Sequence, residues 1–191
     1  FVPMDNGLII MFTLDCLFCT YLVVAISIPV VKVRQWQQIG IISKVALLLL
    51  ANIVFYLGAL DRLEHGVRWG NYAGLYLILA LLLMMARRVV PFFIEKACRL
   101  TTPLKNWRWL DISSLIIFLC FMISDIINPS DLLTTLLALG LAILHSLRLY
   151  LWYHRDIWSR PLLWILYTAY GFIILGFILK VAVYFLSMSP Y

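Results

Sequence analysis

Charge is what this 191-residue chain has least of: 13% of its residues are charged and 64% are hydrophobic. Soluble domains sit near half apolar and about a quarter charged. A mean hydropathy of +1.00 therefore excludes an ordinary soluble domain and makes the chain an integral membrane protein. It also lacks any long linker or low-complexity tract. No Ser/His/Asp arrangement, P-loop or GxGxxG occurs, which removes the commonest hydrolase and nucleotide-binding readings. The amino end has no charged stretch followed by a small-residue cleavage site, so no signal peptide is expected there. A start at Phe1 without methionine leads us to expect a fragment. Four cysteines, Cys16, Cys19, Cys98 and Cys120, lie in or beside apolar segments. They do not form the pattern of a disulfide framework and reveal no redox compartment.

What the chain does have is long apolar runs. Six of them, each about 20 residues, match the hydrocarbon thickness of a bilayer. They run from Leu8 to Val31, Ile41 to Leu60, Asn71 to Val90, Leu110 to Ile127, Leu132 to Trp152 and Leu162 to Leu186. Continuous runs, not short alternating ones, predict helices and not barrel strands. The expected fold is all-α: a polytopic transmembrane helix bundle forming a single domain. Span three is expected to stop near Arg88, because Pro91 cannot continue a helix without losing a backbone bond.

The few charges are sorted by side. Lys32, Arg34 and Lys44 separate spans one and two. Arg87, Arg88, Lys96, Arg99, Lys105 and Arg108 separate three and four, and Arg155 and Arg160 separate five and six. The opposite loops hold Arg62 and Arg68, with Asp61, Glu64, Asp125 and Asp131 nearby. Eleven basic residues against two place the first set in the cytoplasm and both ends of the segment on the periplasmic side. The net charge of +6 reads as loop topology and contact with anionic lipid, not as a nucleic-acid surface.

Ionisable groups inside spans are costly and face a bundle interior or a site. His145 and Arg148, three residues apart in span five, share a helix face, with Trp152 a turn further on. The plainer alternative is that His145 hydrogen-bonds a neighbouring helix while Arg148 snorkels to the headgroups. Asn52 and Tyr56 share a face in span two; Trp164, Tyr167 and Gly171 share one in span six. At 1.5 Å per residue, His145 and Tyr167 lie about 10 and 8 Å from the cytoplasmic ends of their spans and are able to meet, whereas Tyr56 lies nearer the outer face. Cys16-Leu-Phe-Cys19 beside Asp15 is weak as a metal site, and buried cysteine acting as a small hydrophobe is the better reading. Met84-Met85 reads as packing. His65 reads as solvated, and His154 lies at the cytoplasmic interface.

Several segments resemble the NnrS family, polytopic bacterial membrane proteins described as haem- and copper-containing. These are Arg87-Arg88-Val-Val-Pro91-Phe92-Phe93, His145-Ser-Leu-Arg148-Leu, Pro161-Leu-Leu-Trp164 with Tyr170, and Asn52-Ile-Val-Phe55 after Arg34-Gln-Trp36. The likeness runs from about Asp15 to Ile178, in order and spacing. The family is longer, with about twelve spans, so the resemblance implies a middle portion of such a protein. Tyr56 and Tyr167 stand where relatives tend to carry histidine, leaving His145 as the intramembrane family histidine of this segment. Tyrosine ligates haem iron less commonly than histidine.

The resemblance implies a haem-binding, and possibly copper-binding, protein of the bacterial inner membrane that takes part in the response to nitric oxide and nitrosative stress. His145 is the candidate axial and metal ligand. Arg148 is the candidate propionate partner, through a bidentate guanidinium fork. Trp152, Trp164 and Tyr167 are expected to wall the slot. The expected partners are the lipid bilayer and haem, with no nucleic acid. Two other classes stand beside this one: a transporter or channel lined by Asn52, His145 and Arg148, and a structural subunit in which His145 only bridges helices. An inverted repeat would mark the transporter, and none is found in this segment.

Overall fold

The computed structural model describes residues 4–99, 104, 107–128 and 131–188. Lys105, one of the basic loop residues counted above, lies outside them. Six long helices account for nearly all of the described residues: α1 (Met4–Lys32), α2 (Ile39–Ala59), α3 (Gly66–Ala97), α4 (Arg108–Ile127), α5 (Leu132–Leu151) and α6 (Pro161–Met188). Each is long and apolar enough to cross a membrane. The chain is a multi-pass membrane protein, and large apolar side chains such as Leu17, Leu82, Ile143 and Phe172 face outward to meet lipid. Short 3-10 turns, Trp36–Gln38 and Arg155–Ser159, join α1 to α2 and α5 to α6.

The helix ends are built without glycine. α1 ends with Arg34 in the left-handed region (φ 54°) and α2 with Asp61 (φ 55°). The Gln35 N–H reaches back to Val30 O and the Arg34 N–H to Val31 O. The Arg62 N–H bonds Leu57 O and the Asp61 N–H bonds Gly58 O. Both are Schellman closures that satisfy the last carbonyls of a helix entering the headgroup region. α6 starts on Pro161, whose missing N–H is one of the first-turn donors that no helix can pair.

α3 corrects the expectation that the third span stops at Arg88. The helix runs through Pro91 to Ala97, about 48 Å in all and longer than the hydrocarbon core. Val90 and Ile94, on either side of Pro91, are both fully buried, and that packing carries the helix past the one hydrogen bond proline removes. Glu95 then accepts a bond from the Leu104 N–H at 2.8 Å, tying down the chain beyond the helix.

Two compact units divide the chain, one ending at Leu82 and one starting at Leu83. In the first, α1 packs on α2, and Tyr56 donates a hydrogen bond to Asp15 across that contact. α2 meets the start of α3 through glycines at a four-residue spacing. A Cβ on Gly66 would lie 2.7 Å from Gly58 Cα, and one on Gly70 would lie 2.6 Å from Phe55 Cα. Side chains at these positions would drive the helices apart, so the stripe is a small-xxx-small contact of the kind that lets membrane helices approach closely.

The second unit packs α5 against both α4 and α6. The inward stripe of α5 is Thr134, Ala138, Leu141, Ala142, His145 and Arg148, recurring at three and four residues as a helix face must. Facing it are Phe118 and Phe121 of α4 and Leu163, Tyr170, Ile174 and Phe177 of α6.

Candidate functional site

His145 is 1% exposed. Its Nδ1 lies 2.6 Å from Tyr170 Oη, and the Phe177 ring lies nearly parallel to the imidazole with centroids 5.9 Å apart. Trp152, itself fully buried, closes the other side of Tyr170 at 5.3 Å. The imidazole Nε2 is buried and makes no hydrogen bond. Buried polar atoms are nearly always satisfied, so the unpaired ring nitrogen is open to a water or a ligand, as is the buried Nε of Arg148. Ligating histidines characteristically have their second nitrogen held by a neighbour, and Tyr170 does that for Nδ1.

Arg148, 4% exposed, does not snorkel. Its Nη2 donates to Asp111 Oδ1 at 2.9 Å, Ser114 Oγ at 3.1 Å and Leu110 O at 3.2 Å. Asp111 is also paired with Arg87 at 3.2 Å. The carboxylate, in the first turn of α4, thus ties α3, α4 and α5 together. Arg87, Arg88, Pro91, Phe92, Glu95 and Asp111 contribute to a cavity of about 400 Å³ beside it. The Nη2 of Arg148 is therefore taken up by protein partners, while its Nε is buried without one.

The four residues singled out in the sequence fall into two places. His145 and Arg148 lie in the α4–α5–α6 interior. Tyr167 instead donates to Leu149 O at 3.0 Å and lines a groove of about 580 Å³ with Ser146, Tyr150, Tyr153 and Gly171. Trp164 is 40% exposed. The tyrosine that meets His145 is Tyr170, one helical turn beyond Tyr167. Sequence reading also missed another ion pair in this unit. Asp125 is 1% exposed and bonded to Lys180 at 2.5 Å, joining α4 to α6. Ser124 and Thr134 share a 2.6 Å hydrogen bond close by.

As a fit for haem, His145 offers a buried nitrogen in apolar surroundings. It lines neither the 580 Å³ groove nor the 400 Å³ cavity, nor the 670 Å³ cavity of the first unit around Asp15, Asn52, Tyr56 and Asn71. The residues here thus offer one buried nitrogen, while Trp164 and Tyr167 do not form a slot around it. Among the described residues, no two further His, Cys, Asp or Glu side chains join His145 in a ligand cluster.

No curated protein and no solved structure matches the chain. The family model described as NnrS protein matches residues 1–190, and the chain belongs to the NnrS family.

Proposed function

We propose that this chain is a membrane portion of a haem-binding protein of the nitric oxide response, with His145 as an axial nitrogen donor. The observation that carries the reading is the buried imidazole whose Nε2 has no partner. Ligation through Nε2 requires Nδ1 to donate to Tyr170 Oη, which fixes the tautomer and orients the ring. Bound haem would supply an iron able to take a diatomic ligand. Phe177, Trp152 and Tyr170 hold the imidazole dry and in one orientation. A porphyrin brings four nitrogens of its own and asks one axial atom of the protein. A copper ion would ask for several, so the lone imidazole favours haem over copper.

The test is the haem-to-protein ratio of the full-length protein. His145→Ala is expected to lose the Soret band per folded molecule, and Tyr170→Phe to weaken haem retention about tenfold. His65→Ala and His154→Ala leave the ratio unchanged. An unchanged ratio in His145→Ala removes His145 as the ligand. A transporter is the second reading, and the 670 Å³ cavity that Asp15, Asn52, Tyr56 and Asn71 help to line favours it. A full-length protein that carries no haem would turn the choice that way.

The same proposal includes a bacterial inner-membrane location with both ends of the segment periplasmic. It rests on the basic loops that follow α1, α3 and α5. Reporter fusions after Ala97 are expected to behave as cytoplasmic and those after Glu64 as periplasmic. The reverse pattern overturns the orientation.

A further inference from the structure

Cys98, His154 and Asp156 form the one group of three possible metal ligands among the described residues, with their ligand atoms within 4.8 Å of one another. We propose that they form a binding site for a borderline divalent cation such as zinc, separate from His145. Cys98 follows the last turn of α3, and its N–H bonds Ile94 O at 2.9 Å. His154 and Asp156 stand where α5 gives way to the 3-10 turn Arg155–Ser159, His154 as its N-cap. The three are brought together by the fold, since 56 positions separate the cysteine from the histidine.

The two local groups hold each other in place. The Asp156 N–H donates to His154 Nδ1 at 3.3 Å, and Asp156 Oδ2 lies 3.7 Å from the same nitrogen. A histidine–aspartate pair alone would be an ordinary surface contact. A half-buried thiol added to it gives one sulfur, one nitrogen and one oxygen donor. Zinc takes that mixture in four-coordinate sites, at bond lengths of about 2.0–2.3 Å. Those lengths put tetrahedral ligand atoms about 3.5 Å apart, so closing from within 4.8 Å asks only for side-chain rotation. Three protein ligands leave the fourth position to water or a further donor.

The Cys98 thiol is held above its usual pKa, first by burial and then by the Asp156 carboxylate, with Arg160 acting in the opposite direction. Ligation as the thiolate would release the thiol proton to solvent.

The experiment uses the purified full-length protein, stripped with chelator, dialysed against zinc and measured for metal per chain. Wild type is expected to retain one more zinc than Cys98→Ser. Asp156→Asn should weaken retention by more than the roughly tenfold that loss of an outer-sphere partner costs. Zinc should also slow alkylation of Cys98 in the wild-type protein, read on its own peptide, while Cys16, Cys19 and Cys120 react as before. That arm needs no variant to fold. His145→Ala keeps both responses, which separates this site from the haem reading. Equal zinc content in wild type and Cys98→Ser, or Cys98 alkylation indifferent to zinc, overturns the proposal.

Discussion

Replacing Arg148 by leucine is expected to cost about 3–5 kcal/mol of folding stability, the loss that follows when one partner of a buried ion pair is removed. The arginine serves three acceptors with one nitrogen: Asp111 Oδ1, Ser114 Oγ and Leu110 O. Its removal leaves all three without that donor inside the bundle. Arg87 still faces Asp111, but it is partly exposed and reaches the other carboxylate oxygen. Arg148→Lys should fall between, because the ammonium matches the charge on a shorter side chain that reaches the three acceptors less well. The double variant Arg148→Leu with Asp111→Leu should recover part of the loss, since no charge is then left behind. Unfolding of the purified protein in mixed detergent micelles reads all three. A loss near the 0–1 kcal/mol of an exposed pair for Arg148→Leu would show that the node is solvated and structurally idle.

That partner was harder to read from the sequence than the arginine itself. His145 and Arg148 stood out because an imidazole and a guanidinium in an apolar run need an interior to face, and the α5 stripe supplies one. The six spans were legible for the same reason: water and lipid sort side chains by long runs. Rotation of a neighbouring helix is not legible in that way. Tyr167 was expected to reach the level of His145, but it bonds Leu149 O one turn away, and Tyr170, three residues and about 300° of helix further on, meets the imidazole. The extension of α3 past Pro91 depends on the burial of Val90 and Ile94, which no local signal announces. Gly66 and Gly70, which let α2 and α3 touch, also carry a four-residue spacing that is legible in the sequence. Cys98, His154 and Asp156 carry no common motif, because their proximity is made by the α5 to α6 turn folding back on the end of α3.

Asp125 and Lys180 were equally visible as charges. Asp125 was grouped with the loop acids because it lies three residues before Asn128, the cap of α4. The fold buries it to 1% exposure against Lys180, whose side chain is 32% exposed. That asymmetry decides which half of the pair matters more. Lys180 lies about 28 Å along α6 from Pro161, in its carboxy-terminal third, and its flexible stem can carry the ammonium toward water if the carboxylate is removed. Asp125 has no comparable route. Lys180→Met should therefore be the more damaging change, with a loss near the 3–5 kcal/mol of a broken buried pair, and Asp125→Leu should be milder. Combining the two should restore much of the stability lost in Lys180→Met, because an apolar pair of similar volume replaces a buried ion pair at little cost. The measurement is the same detergent unfolding on all three variants. Equal losses for the two single variants, or a double variant as unstable as Lys180→Met, would mean that the pair is held by something other than the burial of its carboxylate.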